Sequence, residues 1–192
     1  MSEIKFKPGF EGLNPNKKGF SIKFKKGALI MKEAKDFVFF WGKQDVFSNF
    51  YYSPFKHQGQ LFKWSEQAVM YRKAKLFGAD KIALQIIRAQ TPDECKKLGR
   101  SRQIPFDNKV WEENREKVYY EVLVDKFLNP KLKSILINTG SKTLVEASPF
   151  DKIWGIGIDC NHPDATNPSK WRGLNLLGKV LEKVRKTIIE TE

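Results

Sequence analysis

The spacing of hydrophobic and polar positions changes character along this chain. Ile4-Lys5-Phe6-Lys7 and Ser21-Ile22-Lys23-Phe24-Lys25-Lys26 alternate apolar and basic residues, and that period of two predicts short strands with a lysine face. The Gly12-Leu13-Asn14-Pro15-Asn16 stretch between them is turn chemistry. From Phe37 the pattern becomes a compact apolar run ending at Trp41, which predicts a buried strand. Phe47–Tyr52 and Gln60–Lys63 flank a loop holding Pro54 and Gly59.

Beyond that point apolar residues recur at steps of three and four. Ser65 is placed to cap a helix reaching about Phe77, with Val69, Met70, Lys73 and Phe77 near one stripe. Asp80 is placed to cap a second helix carrying Ile82, Leu84, Ile86 and Ile87. Thr91-Pro92-Asp93-Glu94 combines a capping threonine, a proline at the first helical position and a glutamate three after the cap; Gly99 predicts the stop. Asn108 is expected to cap a long helix through about Phe127, and Asn129-Pro130 to open another ending near Gly140. Leu144-Val145-Glu146 predicts a short strand, and Ile156–Lys170 a loop rich in Asp, Asn, Pro and Gly. Leu174, Leu177, Leu181, Val184 and Ile188 mark a last amphipathic helix. The expected fold class is α+β: a mainly helical single domain with a small sheet, residues 37–192, preceded by a basic N-terminal arm, residues 1–36, read as a β-ribbon.

Composition narrows the chemistry. Among 192 residues, 35 Lys and Arg face 22 Asp and Glu, a formal charge of +13, which favours an anionic ligand. The arm carries +5 of it. Two readings of the arm stand: a solvated ribbon whose lysines block edge pairing, favoured here, or a basic aromatic arm touching phosphates and bases. Two His and two Cys leave no usual four-ligand zinc cage and no disulfide framework. His57 and His162 read as surface loop residues, and Cys95 as a filler. The longest apolar run is five residues and the N-terminus lacks the apolar segment of a signal peptide, so no membrane partner and a cytoplasmic location are expected. Nucleotide-binding loops, dinucleotide fingerprints, zinc-protease helices and nucleophile elbows are absent from the sequence. If the chain is an enzyme, carboxylates and aromatics carry its chemistry, with neither cofactor nor metal.

Three segments mix polar and aromatic residues beyond what a core demands. Trp64-Ser65-Glu66-Gln67 places Glu66 in the first turn of a helix, where the dipole favours its anion; a plain helix-start acid is the simpler account. Asp151 through Trp154-Gly155-Ile156-Gly157 suggests a backbone closely approached by something flat, or a turn closed by Asp and Gly. Leu98-Gly99-Arg100-Ser101-Arg102 is a phosphate fork or two favourable charges at a helix end.

These segments occur in order with Phe47-Ser48-Asn49-Phe50, Lys75, Lys126-Phe127, Leu144 to Ser148 and Gly173-Leu174-Asn175-Leu176-Leu177-Gly178. In that register the chain resembles the NADAR family, also called YbiA-like, over about residues 37–189. The resemblance implies metal-independent N-glycosidase activity on one of two substrate classes. The first is an ADP-ribose unit joined to guanine in nucleic acid; the second is a phosphorylated ribosylamino-pyrimidine of early riboflavin synthesis. It places the family's important Glu on Glu66, its helix-start Trp on Trp111 and its Asp before Trp-Gly on Asp151, while the His that usually follows the Glu is Gln67 here. The expected catalytic pair is Glu66, stabilising an oxocarbenium-like ribose and activating water, and Asp151, holding ribose hydroxyls or orienting water. The expected substrate contacts are Trp111 and Trp154 as stacking plates or else core anchors, Arg100 as phosphate fork, Asn49 at a base edge or ribose hydroxyl, Lys75 tuning Glu66 or binding phosphate or else simply solvated, and the Gly155 backbone. A non-catalytic ADP-ribose or nucleic-acid binding module is the third reading; the two carboxylates weigh against it. Substrate is the expected partner, and charge tilts the balance to ADP-ribosylated nucleic acid over the small phosphorylated N-riboside.

Overall fold

A computed structural model describes residues 32–34 and 36–191. The strands expected over 4–7 and 21–26, and most of the arm, lie outside the described residues. The elements run β1 (Lys32–Ala34), β2 (Phe37–Phe40), β3 (Phe55–His57), β4 (Gln60–Phe62), α1 (Ser65–Leu76), α2 (Asp80–Arg88), α3 (Pro92–Leu98), α4 (Asn108–Phe127), α5 (Pro130–Ile137), β5 (Thr143–Glu146) and α6 (Leu176–Glu190). A single 3-10 turn, Pro168–Lys170, interrupts the loop before α6. The architecture is α+β and mainly helical.

β2 lies in the middle of a three-stranded sheet, antiparallel to β1 and parallel to β5. Its unbroken apolar sequence follows from covering on both faces. Val38 and Phe40, with Leu144 of β5, join the main helical core. Phe39, with Val145, joins a second small core built from Ala147, Ile156, Ile158 and Ala165 and bordered by Phe37 and Trp171. The loop predicted over 156–170 is therefore a packed cover for the sheet, pinned where the Trp171 indole N–H donates to the Ala165 carbonyl at 2.9 Å. β3 and β4 form a separate hairpin whose two-residue turn, Gln58-Gly59, has φ of 50° and 80°, the left-handed pair a tight hairpin requires.

β5 is an edge strand of that sheet, yet no backbone group on its outer side is left open. The Leu144 N–H donates to Glu182 Oε1 at 2.9 Å, and the Leu144 carbonyl accepts from Asn175 Nδ2 at 2.8 Å. The Glu146 N–H donates to Asn175 Oδ1 at 3.0 Å, and the Glu146 carbonyl accepts from the Ile156 N–H at 2.9 Å. One buried amide thus stands in for a neighbouring strand. Asn175 holds φ of 52°, in the left-handed region, and its own N–H reaches the Gly155 carbonyl. The surrounding glycines are spatial requirements: a Cβ on Gly178 would lie 1.9 Å from the Leu144 carbonyl oxygen, and one on Gly173 2.3 Å from that of Gly155.

Several helix starts differ from expectation. Thr91 caps α3 by accepting from the Glu94 N–H, and Asn129 caps α5, as predicted. Asp107, not Asn108, caps α4. Asp80 lies inside the first turn of α2, after Ala79. Ser65 is the first residue of α1 rather than its cap, for a reason that concerns the site. Gly99 ends α3 in an ordinary right-handed conformation, so its smallness answers the Met70 side chain packed over it. His57 is not a surface residue: it is buried on β3, with Nδ1 2.7 Å from Asp125 and Nε2 2.7 Å from Arg72, which also pairs with Glu121. Leu174 precedes α6 and is exposed.

The amide clamp gives a stability prediction. Asn175→Ala strips partners from two buried backbone groups and should cost about 2–5 kcal/mol, measured by urea unfolding. Asn175→Gly tolerates the left-handed backbone yet loses the same bonds, so it should be destabilised too. A glycine variant as stable as the parent would show that backbone strain, not the clamp, is the dominant effect.

Candidate active site

A cavity of about 510 Å³ opens where α1, α3, α4, the end of β5 and two loops converge. α1 enters it through an unusual start. Its preceding residue, Trp64, contributes no side-chain cap. Instead the Glu66 N–H donates to the Asn49 carbonyl at 3.0 Å, and the Ser65 hydroxyl donates to Asn49 Oδ1 at 3.0 Å. The 47–50 loop does the capping, which is why Ser65 is not the cap. That loop is supported from below: the buried Lys126 ammonium donates to the Ser48 carbonyl at 2.9 Å. Burial pushes Lys126 down to about 7, a fall opposed by the charge of Asp45, whose own carboxyl burial pushes up to about 7.

Glu66, Met70 and Lys73 line the cavity from α1 at the four- and seven-residue steps that share one helix face. Gln67, one step around, is turned into structure: its Oε1 accepts from the Lys63 N–H at 2.9 Å and its Nε2 donates to the carbonyls of Ile86 and Ile87. The position where the resemblance leads one to expect a histidine is thus a tie between α1, α2 and the β4 exit.

Electrostatically the cavity has a cationic flank and an acidic floor. Burial pushes the Glu66 carboxyl up to about 7; Lys96 and Arg100 on and just after α3 pull it down, while Asp151 and Asp93 raise it. Burial pushes Glu146, at the end of β5, up to about 8, and Asp151 and Glu66 raise it further against Lys96. Tyr119 of α4 is held well above its ordinary value by burial and then by Glu66, Glu146 and Asp151. Lys73 is lowered by burial and by Arg100, against Glu66; its ammonium donates to the Gly99 carbonyl at 2.9 Å and lies 5.5 Å from the Trp111 ring centre.

Of the residues singled out from sequence, Asn49, Glu66, Arg100, Trp111, Asp151 and Trp154 line this one cavity. Asp151 is partly engaged, since its Oδ1 accepts from the N–H groups of Ile153 at 2.9 Å and Trp154 at 2.8 Å and so shapes the turn. Trp154 stacks on Tyr119 with ring centres 3.5 Å apart and planes at 14°, so one indole face is already covered. Trp111 is both core and wall, 8% exposed. Gly155 sits behind the wall, where a Cβ would collide with the carbonyls of Glu146 and Asp151. Lys75 is a correction: nine positions from Glu66 is the opposite helix face, and its ammonium pairs with the exposed Asp80. Lys73 is the α1 lysine that reaches the cavity. Sequence reasoning also passed over Lys96, Tyr119 and Glu146. Glu146 stood in a strand motif, and only the parallel pairing of β5 with β2 shows where its side chain emerges.

The buried acid gives a linkage prediction. A folded-state carboxyl near 7 against an ordinary 4.5 binds its proton more tightly than the unfolded chain does. This group's contribution is therefore fully present below about 4.5 and is lost as pH rises through about 7. Glu66→Gln cannot ionise, so its melting temperature should gain on the parent as pH goes from 5 to 8.5. An unchanged difference would contradict the raised value.

The NADAR domain description matches residues 39–189. The chain is 38% identical over 165 residues to N-glycosidase R617 of Acanthamoeba polyphaga mimivirus, covering 80% of this chain and 96% of that protein. It is 33% identical over 165 residues to the chloroplastic riboflavin biosynthesis protein PYRR of Zea mays, covering 79% of this chain but 24% of that longer protein. Its fold is similar to the NMR structure of the E. coli protein YbiA, with a TM-score of 0.68 and 28% identity over 84% of this chain and 90% of that one. Sequence and fold agree: the chain belongs to the NADAR family.

Proposed function

We propose that this NADAR-family N-glycosidase hydrolyses the N-ribosidic bond between ADP-ribose and a guanine base in nucleic acid. The observation that carries the reading is the cavity itself, in which the buried Glu66 shares one space with Lys73, Lys96, Arg100 and Trp111. Cleaving an N-ribosidic bond builds positive charge on the ribose, and a desolvated carboxylate stabilises that charge far better than one in water. Glu66 takes this role and accepts the proton of the attacking water, for which it must be ionised. Arg100 and Lys96, close enough to Glu66 to favour its anion, suit a diphosphate. Asp151 has one oxygen fixed by the turn and offers the other to ribose hydroxyls or to the water. Trp111 offers an aromatic wall for a base. The total charge of +13 favours a polyanionic substrate over a small one.

The similarity to the maize riboflavin protein favours a second reading, in which the substrate is a phosphorylated ribosylamino-pyrimidine. One assay separates the two. The protein is incubated with ADP-ribosylated guanine DNA and, separately, with the pyrimidine phosphate, and base release is followed. Cleavage of the first is expected; cleavage of the second alone overturns the first choice, and binding of ADP-ribose without turnover of either supports a non-catalytic module. Glu66→Gln should keep ligand binding and lose turnover by about 100-fold or more. In the parent, kcat/KM should fall as pH drops through about 7.

The arm is tested separately. Deletion should stop at residue 31, because β1 belongs to the sheet. If residues 1–31 contact nucleic acid, the shortened chain should bind DNA more weakly and with a shallower salt dependence. An unchanged salt slope would make the arm a solvated appendage.

A further inference from the structure

We propose that Glu146 is the acid of this site: it enters turnover protonated and gives its proton to the nitrogen of the departing base, while Glu66 takes a proton from the attacking water. The inference rests on the N-glycosidase reading and adds a residue and a role to it.

Three observations meet at Glu146. It lines the cavity that holds Glu66 and Asp151. Its backbone is fully committed, the N–H to Asn175 and the carbonyl to Ile156, so the side chain projects from a fixed platform at the strand end. Its Oε2 is sealed from solvent and has no hydrogen-bond partner among the described residues. A buried ionised oxygen without a partner is costly, and that cost favours the neutral, protonated carboxyl.

The surroundings divide the two glutamates between opposite roles. Burial raises Glu66 on α1, and Asp151 and Asp93 add to that, while Lys96 and Arg100 favour its anion. Glu146 faces Asp151 from the following loop and Glu66 from α1, which both disfavour its anion, with Tyr119 of α4 also in electrostatic reach and Lys96 of α3 acting against them. Burial, Asp151 and Lys96 act on both acids, and Arg100 favours the anion of Glu66 alone, a difference of the kind that assigns a base and an acid within one cavity. The reaction balances without a further reagent. The bond from the ribose anomeric carbon to the base nitrogen breaks with its electron pair going to nitrogen, which receives the Glu146 proton. Water adds its oxygen to the anomeric carbon and gives one proton to Glu66. Water is consumed, and free base and ribose hydroxyl are formed. Glu66 is left protonated and Glu146 ionised, and one proton passing between them or through solvent restores both.

The test uses the full chain, with Glu146→Gln and Glu66→Gln assayed on ADP-ribosylated guanine DNA across pH 5 to 10. Glu146→Gln should lower kcat by about 100- to 10,000-fold with KM little changed, and it should abolish the alkaline limb while keeping the acid limb. Glu66→Gln should abolish the acid limb. A merely structural role would not remove one limb selectively. An intact alkaline limb in Glu146→Gln, or a loss confined to KM, overturns the proposal. In parallel, the side-chain carboxyl carbons of the ¹³C-labelled parent are titrated by NMR, which needs no variant to fold. Glu146 should release its proton above Glu66, and the reverse order overturns the proposal. If the parent cleaves neither N-riboside, the functional reading fails on its own terms, while the titration still decides which glutamate holds the proton.

Discussion

The structure depends on one amide. β5 has a single strand partner, and its outer edge would leave four backbone groups to find hydrogen bonds inside the protein. Asn175 satisfies two of them, Glu182 a third and Ile156 the fourth. The same residue ties β5 to the Gly155 turn and to the start of α6. Everything on the acidic side of the cavity hangs from this joint: Glu146 from the strand end, Asp151 and Trp154 from the turn. The glycines flanking Asn175 follow from it, since backbones that close leave no room for a Cβ.

The opposite side of the cavity uses a second economy. α1 begins without a capping side chain, and the 47–50 loop supplies its carbonyl and amide instead. The loop is in turn held by a lysine buried on α4. Glu66 therefore sits where the first turn of a helix, a loop and a long helix meet, and each would have to move for it to move. Burial at that junction is the largest cause of its raised proton affinity.

Much of this was legible in the sequence. The helix periods, the Thr91 and Asn129 caps and the buried β2 run are local features, and local features read well. So do motifs: Glu66, Arg100 and Asp151 stand in segments that mix polar and aromatic residues, the family resemblance adds Trp111, and all four line one cavity. What failed was face and depth. The sequence leaves Lys75 open between a role at Glu66 and plain solvation; the helix turns it outward to Asp80 and brings Lys73 inward. His57 looked like a loop residue until pairing of β3 with β4 buried it between Asp125 and Arg72. Glu146 was hidden because a short strand says nothing of which side faces a cavity until its partner is known. The partner, β2, precedes it by the length of five helices.

That separation also sets an order of assembly. Parallel pairing of β2 with β5 closes a loop containing α1 to α5, and such long-range pairings form late because the closure entropy precedes their reward. The amide that completes β5 comes later still, from the threshold of the last helix. A chain emerging from the ribosome with α1 to α5 already made holds Glu66 and its cationic neighbours but has no acidic floor. The acidic floor is complete only with the C-terminal helix in place, because Asn175 at its start closes the edge of β5 that carries Glu146.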